Sequence, residues 1–181
     1  MAMAPSTNYS AVARGFHWLT AILVLAAFIL SEGGPSSRIF SEANRFALTS
    51  HEFLGFSVFI LTALRLIWRL FDTQPAPTPM AGWMRLTSNL VHWALFGLLL
   101  AVPLAGILGS WFEGYPLDLY FATIPSPFTV VAGASSKFMA IHPLLGDAII
   151  WIAGAHAAAA LYHHFFLKDG VLRAMTSGKA S

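Results

Sequence analysis

Four stretches, roughly residues 15–31, 51–70, 88–112 and 142–166, are mostly apolar and carry few charges. Each is close to the about 20 residues that a helix needs to cross a bilayer. Hydrocarbon offers no hydrogen-bond partners, so only helices and closed barrels satisfy their backbones there. The fold class is therefore all-α, a membrane-spanning four-helix bundle. Composition agrees, because 57% of the 181 residues are hydrophobic and only 10% are charged, against about 25% charged in soluble domains. A soluble core of this size could not hide so much apolar surface.

The chain has no cysteine, which excludes disulfides, iron–sulfur clusters and covalent haem attachment through C-x-x-C-H. The N-terminus, MAMAPSTNYSAVARGFHW, lacks an early basic region and a small-residue cleavage site, so it is expected to be a short cytoplasmic tail rather than a signal peptide. DTQPAPTPMAG, residues 72–82, is a Pro-rich linker between the second and third spans. With no internal repeat, residues 1–181 are expected to form a single integral membrane domain.

Four spans put both termini on one side. That side holds Arg14, Arg65, Arg69, Arg85, Lys168, Arg173 and Lys179, and the other holds Arg38, Arg45 and Lys137. By the positive-inside rule both termini are cytoplasmic. The acidic residues lean the other way, with Asp72 and Asp169 inside and Glu32, Glu42, Glu52, Glu113, Asp118 and Asp147 outside. Basic residues that flank spans mark the inner leaflet, so membrane lipid is the expected partner and no nucleic acid is implied. The outer loop 113–141 is long and half apolar, and is expected to fold over the outer end of the bundle as a lid.

Ionisable residues inside a bilayer are rare and usually functional, which makes histidine depth informative. In the fourth span, His156 follows His142 by 14 residues. That is about 21 Å of rise and an angular offset of only about 40°, so both lie on one face. Hydrocarbon is roughly 30 Å thick, so each histidine sits just inside an opposite boundary. Two ligands on one stripe, one near each membrane face, is the arrangement needed to hold two stacked haems. At the outer level His51 is the available partner for His142. At the inner level either His17 or His92 could face His156, and His163 continues the stripe about 10 Å deeper.

Other residues fit the same chemistry. Gly55 and Gly146 each follow an outer histidine by four residues. A missing side chain one turn from a ligand leaves room for a flat macrocycle, although small residues also let membrane helices approach. Arg65 is 14 residues after His51, at the inner level, where a guanidinium can hold haem propionates by paired hydrogen bonds; it could equally serve only as a topogenic charge. A metal or proton pathway and simple interhelical hydrogen bonding are the competing uses of such histidines.

The sequence resembles the prokaryotic cytochrome b561 family. The stretches that carry the likeness are FHWLTAILVLAAF (16–28), SHEFLGFSVFILTALRLIWRL (50–70), VHWALFGLLLAVPLAG (91–106) and HPLLGDAIIWIAGAHAAAALYHHFFLKD (142–169). The resemblance implies a dihaem protein of the bacterial inner membrane, with two non-covalent, bis-histidine b-type haems bound between the helices. It implies His17 and His156 on the inner haem and His51 and His142 on the outer. His92, His163 and His164 then become candidates for a ubiquinone site. A haem with two histidine ligands has no open position and suits electron transfer.

A related member of the family is a superoxide oxidase that passes electrons to ubiquinone, so the expected activity is superoxide oxidation coupled to quinone reduction. The outer side is a weak attractor for an anion, with its three cations set against as many as six acids. A relay between quinol and a small periplasmic redox protein uses the same parts. A non-redox metal or proton transporter is the remaining alternative.

Overall fold

The structure is a computed structural model that describes residues 8–31, 45–75, 79–130 and 133–176. Glu32, Arg38, Glu42 and Lys179, used above to assign sides, and part of the Pro-rich linker lie outside the described residues.

Four helices are long and apolar enough to cross a membrane. They are α1 (Ala11–Leu30), α2 (Arg45–Phe71), α3 (Gly82–Phe112) and α4 (Ala134–Tyr162). Each begins before the apolar stretch it contains, because hydropathy marks only the part that meets hydrocarbon while backbone hydrogen bonding continues into the interface. Ser10 caps α1 by accepting from Ala13 N–H at 3.2 Å, which satisfies one orphan donor of the first turn. The same hydroxyl donates to Asp72 Oδ2 at 2.9 Å, tying the start of α1 to the end of α2. Tryptophans and branched aliphatics such as Ile22, Leu25, Leu90, Trp93, Leu144 and Trp151 point outward, as expected where lipid rather than water is the solvent.

α1 packs along α2, α3 packs along α4, and α2 joins the two hairpins through α3. Among the described residues α4 makes no backbone approach of comparable extent to α1 or α2. The bundle is closed halfway through the membrane by Val58, Leu99 and Ile149, with Leu23, Val24, Leu98 and Val102 packed around them. Val58 and Ile149 are each seven residues after an outer histidine, about 10 Å deeper. This apolar layer therefore divides the interior into an outer and an inner compartment.

The loop after α3 forms a short antiparallel pair, β1 (Leu117–Asp118) and β2 (Thr123–Ile124), with Leu117 opposite Ile124. Leu117 and Leu119 are buried. The hairpin lies against the outer end of α2, where Glu52 Oε2 accepts from Asp118 N–H at 3.1 Å and the Ser50 and Tyr120 hydroxyls are hydrogen-bonded. At the inner end α4 widens into one π-helical turn, His163–Leu167, which stops at Lys168 in the left-handed region (φ 54°). The chain then turns back into the short helix α5 (Arg173–Thr176). Trp18 Nε1 donates to Met175 O at 3.0 Å and Tyr9 N–H to Ala174 O at 3.2 Å, so this segment is latched onto the start of α1.

Candidate functional site

Two pairs of imidazoles face each other, one in each compartment. In the outer one the rings of His51 on α2 and His142 on α4 are 5.8 Å apart, centre to centre. In the inner one His17 on α1 and His156 on α4 are 6.4 Å apart. Both pairs bridge helices whose backbones keep their distance, which is where a flat group has room. His92 is also near His156, at 5.1 Å centre to centre in an edge contact, so both His17 and His92 adjoin His156. Among the described residues no three His, Asp or Glu side chains converge as a metal cage would require.

The outer imidazoles are held in one tautomer. His51 Nδ1 lies 2.8 Å from Ala27 O, and His142 Nδ1 lies 2.8 Å from Val102 O. A carbonyl can only accept, so each Nδ1 carries the proton and each Nε2 carries the lone pair. This is the usual way a metal-binding histidine is oriented by its surroundings. In each hairpin the preceding helix supplies the carbonyl, α1 for α2 and α3 for α4. His142 is also wedged against α3. A Cβ built on Gly106 would lie 3.0 Å from its Cε1 and 3.1 Å from its Nδ1. One turn further out, Gly109 receives Met139, and its carbonyl accepts from the Ser135 hydroxyl at 3.1 Å.

Gly55 and Gly146 behave differently. A Cβ at either would meet nothing within 4 Å. The reading of these two as close helix contacts therefore finds no neighbouring helix, and each leaves open space beside an outer histidine. Gly55 borders a cleft lined also by His51, Glu52, Phe56, Pro103, Ile107 and His142.

At the inner level the Arg65 guanidinium stacks over Phe96 at 5.1 Å, and Arg69 lies 5.9 Å from both Trp93 and Phe96. Thr20, three residues after His17, is buried with its hydroxyl unpartnered among the described residues. His163 Nδ1 donates to Asp169 Oδ2 at 2.5 Å, and Asp169 Oδ1 accepts from Val171 N–H at 3.0 Å. His164 meets Phe165 edge-on and lies outside this pair.

Sequence reasoning missed Gly106 and Gly109, the carbonyls of Ala27 and Val102, and Asp169. The glycines had a signal, since Gly106 and Gly109 share a face of α3 just as Ser135, Met139 and His142 share one of α4. The carbonyls had none, because a backbone acceptor leaves no mark on residue type.

The family model of prokaryotic cytochrome b561 matches residues 8–178. Among curated proteins the chain is 32% identical to cytochrome b561 homolog 2 of Escherichia coli (strain K12), over 96% of this chain and 93% of that one. It is 29% identical to cytochrome b561 homolog 1 of the same organism, over 88% and 91%. It is 28% identical to a probable superoxide oxidase, CybB, of Yersinia pestis, over 95% and 97%.

Proposed function

The chain belongs to the prokaryotic cytochrome b561 family, a multi-pass membrane cytochrome of electron transfer that carries b-type haem, and we propose that it binds two haems and oxidises superoxide outside while reducing ubiquinone inside. The observation that carries this reading is the presence of two facing imidazole pairs at opposite ends of one helix, 5.8 and 6.4 Å apart. We assign the membrane as the bacterial inner membrane with both termini cytoplasmic. The balance of the reaction is two superoxide anions, one quinone and two protons giving two dioxygen molecules and one quinol.

Bound haem would supply one-electron chemistry. The residues then have separate tasks. His17 and His156 would hold the inner group, and His51 and His142 the outer one. The Nδ1–H bonds to Ala27 and Val102 present Nε2 of the outer ligands. Gly55 and Gly146 leave space beside them, and Arg65 is placed to pair with propionates at the inner level. His163, at the inner interface and hydrogen-bonded to Asp169, is placed to hold and pass a proton for quinone reduction. His92 and His164 border the same inner surface and complete the candidate quinone site.

One observation favours a second reading, a relay that passes electrons between quinol and a cationic periplasmic protein. Among the described residues Glu52, Glu113, Asp118 and Asp147 outnumber Arg45 and Lys137 on the outer side, which does not attract an anion from a distance.

The first test is a reduced-minus-oxidised visible spectrum of the purified protein with a pyridine haemochrome count. Two b-type haems per chain with six-coordinate bands are expected, followed by superoxide-dependent quinol formation. A colourless protein would turn the histidines over to a metal or proton pathway. Two haems without superoxide turnover would leave the relay.

A further inference from the structure

The two compartments are built differently around the same four imidazoles. At the outer level both rings donate Nδ1–H to a backbone carbonyl at 2.8 Å. At the inner level no hydrogen bond to a ring nitrogen of His17 or His156 is present among the described residues. A carbonyl acceptor draws the proton from Nδ1 and makes the opposite nitrogen more basic. A more basic ligand favours the oxidised metal. The charges differ as well. Glu52 directly follows His51 and Asp147 lies five residues beyond His142 on α4, while Arg45 and Lys137 lie six residues before His51 and five before His142. The inner level has Arg65 and Arg69, stacked on Phe96 and Trp93. The inner carboxylates are set further out and are already engaged, Asp72 by Ser10 and Asp169 by His163 and Val171. Nearby negative charge favours the oxidised state of a metal centre and positive charge the reduced one. The outer carbonyl bonds and the inner arginines act in one direction.

We propose that this asymmetry makes the inner centre the stronger electron acceptor, so that an electron shared by the two centres rests at the inner one. In that state the outer iron is ferric and the inner is ferrous, a transfer of one electron with no other change. Gly106 is the positioning residue of the outer level. It admits the His142 ring close enough to α3 for the Val102 carbonyl to hold it. Arg65 sets the inner level. The inference rests on the dihaem reading and adds a direction to it, from the outside in, which suits an outer donor and an inner quinone.

The test is a potentiometric titration of the purified holoprotein followed by its visible spectrum, with Gly106→Ala and Arg65→Gln alongside. The unmodified protein should show two components, with the inner centre favoured at least tenfold, which is about 59 mV for one electron. Gly106→Ala puts a methyl group 3.1 Å from His142 Nδ1, which loosens the carbonyl bond and should raise the lower potential alone. Arg65→Gln should lower the upper potential alone. If Gly106→Ala instead sheds the outer haem, the remaining centre must titrate at the upper potential. The proposal is overturned if Gly106→Ala moves the upper component, if Arg65→Gln moves the lower, or if the surviving centre titrates low. A haem count other than two per chain would mark failure of the dihaem reading itself, and is scored before any potential is measured.

Discussion

Replacing Gly55 by Leu separates what the protein needs from what its cofactor needs. Gly55 is interior to α2, four residues past His51. In a helix interior glycine costs about 0.8–1.0 kcal/mol relative to alanine, and leucine is nearly as good as alanine. A Cβ at this position meets nothing within 4 Å, so protein contacts raise no objection. The chain without haem should therefore become more stable by up to about 1 kcal/mol. If a macrocycle lies beside His51, the added side chain occupies its space. Overpacking of that kind costs about 1–3 kcal/mol, or roughly 5- to 150-fold in haem affinity at 1.4 kcal/mol per factor of ten. The two effects have opposite signs. Circular dichroism melting of the haem-free protein reads the first, and a pyridine haemochrome titration reads the second. The expected result is an apoprotein at least as stable as the parent that retains about half the haem. Two haems bound at unchanged affinity would show that nothing rests against Gly55, and the open space there would need another occupant.

His142→Ala should lose about half of the haem and leave the spectrum of the inner centre intact; retention of both haems would show the outer assignment to be wrong. His163→Gln should slow quinol formation by about 100-fold, the scale of a lost general acid, while leaving haem content and spectra unchanged; unchanged turnover would reduce His163 to an interfacial residue. Glu52→Gln weakens a charge-assisted bond to Asp118 N–H and should loosen the 117–124 hairpin by about 1 kcal/mol, read as faster amide exchange there. Undiminished protection would mean that Leu117 and Leu119 hold the hairpin unaided.

The bundle was legible because bilayer thickness imposes a length and a hydropathy on every span, and both are properties of residue type. The two depths of histidine were legible for a related reason. A helix has a fixed rise and a fixed turn, so a spacing of 14 residues between His142 and His156 converts directly into a depth and a shared face. The choice between His17 and His92 was not. Both lie about one turn inside the inner boundary, and the fold brings both near His156, at 6.4 and 5.1 Å. Gly146 and Gly106 make the same point. Each lies beside His142, yet one faces open space and the other presses on the ring. A glycine records that a side chain is missing, not what takes its place.

The outer histidines show how a backbone can take on a task usually given to side chains. A buried carboxylate on each imidazole would orient it, but at a heavy desolvation cost in hydrocarbon. A helix carbonyl can accept this bond, either through a second lone pair or because it is one of the last four of its helix, as Ala27 is in α1, and it costs no charge to bring into the membrane. α1 and α3 each offer one such carbonyl to the helix that follows them, at Ala27 and Val102. The close approach this demands falls where the sequence is small, at Ala27 itself and at Gly106. A bulky residue at either place would separate ligand from carbonyl while leaving hydropathy and helix length untouched. The constraint that orients the outer pair is therefore steric, and it acts through residues with no chemistry of their own.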